Sequence, residues 1–263
     1  MFAVLRYDLL RGWHALLVWC AALVGVLVLY SAFYPSMGMG DGMSELLQQL
    51  PQGLVEALGF TDITSGAGWV HSTFFSLLGL FLLVGAAVSW GSAAVAGAQE
   101  SGFLELTLSR GVSRTAYFCG RLLGIIVRFL IVGLIIALSL FVINEPAELS
   151  LQFDNVPAQM CAFLALGVLA SSISLAIGSV TGVRQWSIGA GAFIIVLAYA
   201  LNMIGRSADS YDWLQDVSPI SWVYKNTPLI HGWQLTGLAI TLGVSILFIV
   251  IGLIAINTRD LDN

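Results

Sequence analysis

The chain has 263 residues, 58% of them hydrophobic and 10% charged, with a mean hydropathy of +0.92 and a formal net charge of -5. That composition lies outside the range of soluble globular domains and specifies a polytopic membrane protein. A pI near 5.0 argues against a nucleic-acid partner. The three cysteines, Cys20, Cys119 and Cys161, sit in or beside apolar runs and read as small packing residues, so no extracellular disulfide is expected.

Residues 2–13 set Phe2, Leu5, Leu9, Leu10 and Trp13 against Arg6, Asp8 and Arg11, the pattern of an amphipathic elbow helix lying flat on the inner leaflet. The alternative is a continuous extension of the first span. Six apolar runs follow, at 15–33, 70–97, 117–143, 156–180, 186–204 and 235–256. Each has the ~20 residues, or more, that carry a helix across the hydrocarbon core, where lipid leaves open backbone groups unbonded. The expected fold is therefore all-α with six transmembrane helices.

The connections differ in character. Residues 34–69 form a long outer cap loop, and 43–60 within it mixes Leu, Val and Ala with Gln and Glu as short interfacial helices do. In the second run Gly85, Ser89, Ala93 and Gly97 recur every four residues, as do Ala170, Ser174, Gly178 and Gly182 in the fourth. Such stripes let helices approach closely. They serve packing within the chain or, on the second span, a pathway or dimer face.

Arg121 and Arg128, seven apart in the third run, share one helix face. An intramembrane arginine marks a functional site unless it snorkels to the cytoplasmic interface, and both readings stand here. The five residues 181–185 join the fourth and fifth runs into a tight hairpin. Asn202, near the outer end of the fifth run, faces a cavity or bonds a neighbouring helix. Beyond it, 205–233 is too polar to span. Pro219 and Pro228 bracket an aromatic stretch containing Trp222, which suggests short broken helices re-entering the outer leaflet. A plain surface loop with interfacial Trp213, Trp222 and Trp233 is the alternative.

Orientation follows from Lys and Arg. With the N-terminus inside, the inner segments hold Arg6, Arg11, Arg110, Arg114, Arg121, Arg184 and Arg259, and the outer ones only Arg206 and Lys225. Both termini are thus expected in the cytoplasm, and the net negative charge is a property of the outer face.

Chemistry is sparse. There is no G-x-x-x-x-G-K-[ST] phosphate cradle, and the single lysine, Lys225, lies on the outer side, so ATP hydrolysis by this chain is not expected. His14, His71 and His231 are far apart in sequence, and no Cys/His cluster has metal-ligand spacing. Neither catalytic nor metal residues are expected, and no cofactor. The apolar runs contain no Asp or Glu, which removes the usual proton relay of a transporter that works alone.

The polar insert between the second and third runs carries the strongest functional signal. From Ser101 or Gly102, a helix of two to three turns places Phe103, Leu104, Leu106 and Leu108 among Glu105, Thr107 and Ser109, and Gly111 ends it before Arg114. An anionic leaflet would repel Glu100 and Glu105, which makes a protein groove a better partner than lipid headgroups.

At these residues the chain resembles the ABC type-2 transporter permeases. Their E-x-G-x-L-E-x-L-L-S-x-P-x-S-R motif and following G-[KR] are similar to Glu100, Gly102, Leu104, Glu105, Leu106, Leu108, Ser109, Arg110, Ser113, Arg114, Gly120 and Arg121. Phe103 replaces a frequent Thr, Gly111 a frequent Pro, and Arg121 a Lys. S-P-I-S-W at 218–222, P-L-I-x-G at 228–232 and R-D-L at 259–261 look like the family's ending.

The resemblance implies a permease of an exporter in the plasma membrane of a bacterium, paired with a second permease, identical or paralogous, and with two cytoplasmic ATPase subunits that hold ATP and Mg. Segment 99–114 would be the coupling helix, with Glu100, Gly102, Phe103, Leu104, Glu105, Leu108, Ser109, Arg110 and Arg114 as its partner-binding residues. Drugs, antibiotic peptides or lipids are the expected cargo, since no large outer domain is present. A stand-alone transporter or channel, a membrane enzyme and a membrane anchor are the competing classes. The first lacks intramembrane acids and the second a catalytic set.

Overall fold

A backbone in hydrocarbon must bond to itself, and the apolar runs do so as helices. The computed structural model describes residues 1–38, 49, 63–207 and 209–259, among which there is no strand. Helix α1 (Phe2–Phe33) passes into a π-helical turn, Tyr34–Gly38. Helix α2 (Gly66–Val70) runs through a π-helical stretch, His71–Leu78, into α3 (Gly79–Ala94). Then come the short α4 (Ala96–Glu100) and α5 (Phe103–Leu108), followed by α6 (Arg114–Ile143), α7 (Val156–Thr181) and α8 (Arg184–Ser207). Three short helices, α9 (Trp213–Val217), α10 (Pro219–Tyr224) and α11 (Pro228–His231), lead to α12 (Leu235–Thr258).

Six of these helical stretches are long and apolar enough to cross a membrane, as the composition requires. The second begins at Gly66, earlier than hydropathy alone placed it, because Ser65 caps it by accepting the Gly68 N–H at 3.0 Å. The third begins at Arg114, where Ser113 accepts the Ala116 N–H at 3.2 Å. Of the interfacial helices expected in 43–60, all but residue 49 lies outside the described residues.

The N-terminal segment is not a separate elbow. Phe2–Phe33 is one uninterrupted helix of 32 residues. At 1.5 Å per residue it is about 48 Å long, well beyond the ~30 Å of hydrocarbon. Continuous extension of the first span is therefore the correct alternative, and Asp8 becomes part of a helix that qualifies as a span. The physical cause lies in α6, whose arginines engage Asp8 and hold the first turns alongside it.

Helix α7 is the hub. In its apolar stretch 78% of residues are buried, against 22% in those of α1 and α12. Its Ala, Ser and Gly residues allow this, since small side chains bring neighbouring backbones close. A Cβ at Gly91 of α3 would lie 2.6 Å from the Ser171 carbonyl oxygen. Toward α8, Ser174 Oγ donates to the Ser187 carbonyl at 3.0 Å and Ser187 Oγ returns the bond to Ser174 at 2.6 Å. Gly182, at φ +70°, closes the α7–α8 hairpin. The stripe on α7 thus serves packing within the chain.

The segment after α8 is built of broken helices rather than open loop. Pro219 and Pro228 each stand at the first position of a helix, where a missing N–H is not needed. Helix α10 buries Ile220, Ser221, Val223 and Tyr224. Trp222 Nε1 donates to the Asp216 carbonyl at 2.7 Å, and α12 passes so close that a Cβ on Gly237 would collide with the Trp222 carbonyl oxygen.

Met1 and Arg259 both lie with the 99–114 segment at one end of the bundle. Arg114 Nη1 donates to the carbonyls of Ile256 at 3.0 Å and Arg259 at 2.6 Å. At Gly120, an added Cβ would lie 3.0 Å from the Met1 carbonyl oxygen.

Candidate functional site

The insert is two short helices joined at Gly102, whose φ of +69° is open to glycine and costly for other residues. Gly111, at φ +84°, makes the second turn before Ser113 starts α6. With six residues, α5 is less than two turns long. Its residues divide cleanly by exposure. Leu104 is fully buried, Phe103 and Leu108 are half-buried, and Glu105, Leu106, Ser109 and Arg110 are exposed.

Residues of α1, of α8 and at the end of α12 hold this base. Phe103 stacks on Tyr7 of α1, with ring centroids 5.0 Å apart and planes at 11°. Glu100 Oε1 accepts the backbone N–H of Arg184 at 2.7 Å, placing a carboxylate at the N-terminus of α8, where it favours the helix dipole. Gln99 Oε1 accepts from Arg259 Nη2 at 2.5 Å, while Arg259 Nη1 donates to the Ser179 carbonyl at 2.9 Å. Of the sequence-predicted partner residues, Glu100, Phe103, Leu104 and Arg114 therefore face the body of the chain. Gly102, Glu105, Ser109 and Arg110 face outward, joined by Leu106, which the partner-binding set had omitted.

Below the insert lies a buried charge cluster. Asp8 of α1 pairs with both Arg121 and Arg128 of α6, and the three side chains are 6%, 13% and 7% exposed, respectively. Arg121 Nη1 donates to Asp8 Oδ1, and its other nitrogens reach the carbonyls of Ala94 at 3.1 Å and Ala93 at 2.7 Å. Arg128 Nη2 donates to the Asp8 carbonyl at 3.0 Å, and its guanidinium lies 5.8 Å from the Trp90 ring centroid. Space for the cluster comes from glycine: a Cβ on Gly12 would lie 2.5 Å from Arg128 Nη2. Arg128 is thus ion-paired inside the bundle, and snorkelling does not describe it. Sequence reasoning missed Asp8 as the partner of the two arginines, because its neighbour is set by packing alone.

The other sequence-predicted positions are scattered. Gly85, Ser89, Ala93 and Gly97 are all half-buried, a line less enclosed than its neighbours Ala86, Ala87 and Trp90, and a Cβ on Gly85 would meet Trp19 of α1 at 3.0 Å. Asn202 is 6% exposed, and its Oδ1 has no hydrogen-bond partner among the described residues. Pro219, Trp222 and Pro228 lie far along the chain in α10 and α11, away from the insert.

A second polar cluster joins three residues distant in sequence. His71 Nδ1 is 3.1 Å from Gln159 Oε1, and its ring meets Tyr224 edge-on at 5.0 Å. The cluster ties the π-helical stretch to α7 and α10. Burial raises the pKa of Tyr224 well above its usual value, with Gln159 acting in the opposite direction, so its hydroxyl stays protonated. Among the described residues, no three His, Cys, Asp or Glu side chains converge on a metal-sized space.

A family model described as ABC-2 family transporter protein matches residues 3–261. No curated protein matches the chain.

Proposed function

Since the chain belongs to the ABC-2 transporter family and is thereby a permease subunit of an ABC transporter, we propose that it exports an amphiphilic cargo together with a second permease. In this reading two cytoplasmic ATPase subunits bind segment 99–114 and supply the ATP and Mg chemistry that this chain lacks. The observation that carries it is the form of α5: an exposed face of Glu105, Leu106, Ser109 and Arg110 on a base held by Tyr7 of α1, Arg184 of α8 and Arg259 at the end of α12.

The base gives the proposal a mechanism. A push on α5 reaches α1 through the Tyr7–Phe103 stack, α8 through Glu100, α12 through Gln99 and Arg259, and α6 through the turn at Gly111. Small packed helices shift as bodies rather than deform. Movement of the ATPases is thus shared among several spans. The half-buried line of Gly85, Ser89 and Ala93 is the face that such movement opens or closes against the second permease. Antibiotic peptides, drugs and lipids fit a chain of this kind, residing in a bacterial plasma membrane.

The test is purification of the tagged chain in mild detergent from its own host. Co-elution of a soluble ATPase with a Walker-A lysine supports the reading, and elution of the chain without one contradicts it.

A further inference from the structure

Beside the insert, at the end of the bundle that the arginine distribution assigns to the cytoplasm, lies a cavity of about 220 Å3 lined by Arg11, Arg121 and Arg184. Its charge is not balanced. Asp8 is taken up by Arg121 and Arg128, and Glu100 gives an oxygen to the Arg184 backbone N–H. Arg11 bonds only the Tyr7 hydroxyl, at 2.6 Å, and among the described residues neither its guanidinium nor that of Arg184 meets a carboxylate. Two planar, exposed donor forks therefore point at one space with no anion to fill it.

A second cavity of about 230 Å3 adjoins the first and shares Tyr7, Phe103 and Arg121 with it. Its remaining walls are the apolar Ala3, Val4, Leu106 and Val112, together with Thr107 and Arg110. The stacked rings of Tyr7 and Phe103 stand between the two. A cationic chamber beside an apolar one matches a molecule with an anionic head and a hydrocarbon body.

We propose that the paired cavities hold an anionic phospholipid of the inner leaflet, its phosphate between Arg11 and Arg184 and part of an acyl chain beyond the Tyr7–Phe103 stack. Guanidinium groups meet phosphate oxygens with paired hydrogen bonds, which suits the donor geometry. A zwitterionic headgroup brings its own cation into an already positive chamber and is disfavoured. A soluble phosphate would satisfy the arginines and leave the apolar cavity unused, so the adjoining cleft selects lipid as the source. The bound lipid would join α1, α4, α6 and α8 around the insert. Leu106 and Arg110 of the outward face of α5 also line the second cavity, so the headgroup assignment rests on Arg11 and Arg184, which lie outside that face.

Native mass spectrometry of the delipidated full chain tests this with phosphatidylglycerol, phosphatidylcholine of the same acyl chains and glycerol 3-phosphate as probes. Phosphatidylglycerol should be retained in preference to phosphatidylcholine. Arg11→Gln and Arg184→Gln should each weaken that retention roughly 5-fold, and the double variant should lose the preference. Both arginines are exposed, so the variants are expected to fold, and Arg6→Gln, at an exposed position lining neither cavity, should match the parent. Equal retention of the two lipids, or a double variant that behaves like the parent, overturns the proposal. Displacement of the lipid by an equal concentration of glycerol 3-phosphate overturns the lipid assignment.

Discussion

Arg128 in α6 places Nη2 2.7 Å from Oδ2 of Asp8 in α1, although 120 residues separate the two in sequence. Asp8 Oδ2 lies at ion-pair distance without a hydrogen bond of good angle, and the bond from Nη2 goes instead to the Asp8 carbonyl. The Coulomb attraction does not depend on that angle. With Arg121 on the other carboxylate oxygen, one acid is shared by two largely buried cations, the cluster keeps a net charge of one positive unit, and the first turns of the chain are fastened to the third span.

Asp8→Ala should therefore destabilise the protein by about 3 to 5 kcal/mol, because removing the shared partner leaves buried guanidinium charge uncompensated. Asp8→Asn should be nearly as damaging, since it keeps the shape and removes the charge. Combining Asp8→Asn with Arg128→Met should recover part of the loss. Denaturation of the purified chain in detergent measures all three, and an Asp8→Ala protein as stable as the parent contradicts the pairing.

Gly124 faces the same carboxylate, and a Cβ there would lie 2.4 Å from Asp8 Oδ2. Gly124→Ala should cost about 1 to 3 kcal/mol by forcing Asp8 away from α6. Gly25 in α1 has nothing within 4 Å of an added Cβ. Gly25→Ala should be neutral or stabilise by up to about 1 kcal/mol, as expected for glycine replaced inside a helix. Parallel melts of the two variants decide between crowding at the cluster and a general effect of glycine loss.

Glu100 is a helix cap as much as a motif residue. Glu100→Ala should cost about 0.5 to 2 kcal/mol through the lost bond to the Arg184 N–H and the lost charge at the start of α8. Glu100→Gln should retain most of the bond and lose the dipole contribution. Hydrogen exchange of the first-turn amides of α8 reads this locally: faster exchange in Glu100→Ala than in Glu100→Gln is expected, and no change in either removes the cap.

The six spans and the two glycine turns of the insert were legible because lipid imposes composition and a left-handed turn imposes glycine. What sequence could not supply was partner and side. Asp8 on a short amphipathic stretch looks the same whether its face meets water or α6, and only packing distinguishes them. In α5 the apolar residues at 103, 104, 106 and 108 encircle a helix of six residues, so periodicity could not tell the anchoring Leu104 from the exposed Leu106. Glu100 gave no hint of its bond to Arg184, 84 positions away. The His71–Gln159–Tyr224 cluster had one sequence signal, a glutamine inside an apolar run, which acquires meaning only when three distant segments meet.

The central claim is that the outward face of α5 is where an ATPase binds, and the most direct measurement is the amount of ATPase that co-elutes with face-specific variants. Glu105→Arg and Leu106→Arg lie on exposed positions and should abolish co-elution while leaving the chain folded and monodisperse. Leu235→Arg, an exposed change at the start of α12, far from the insert, should leave co-elution intact. Full retention of the ATPase by the doubly substituted Glu105→Arg, Leu106→Arg chain would contradict the account.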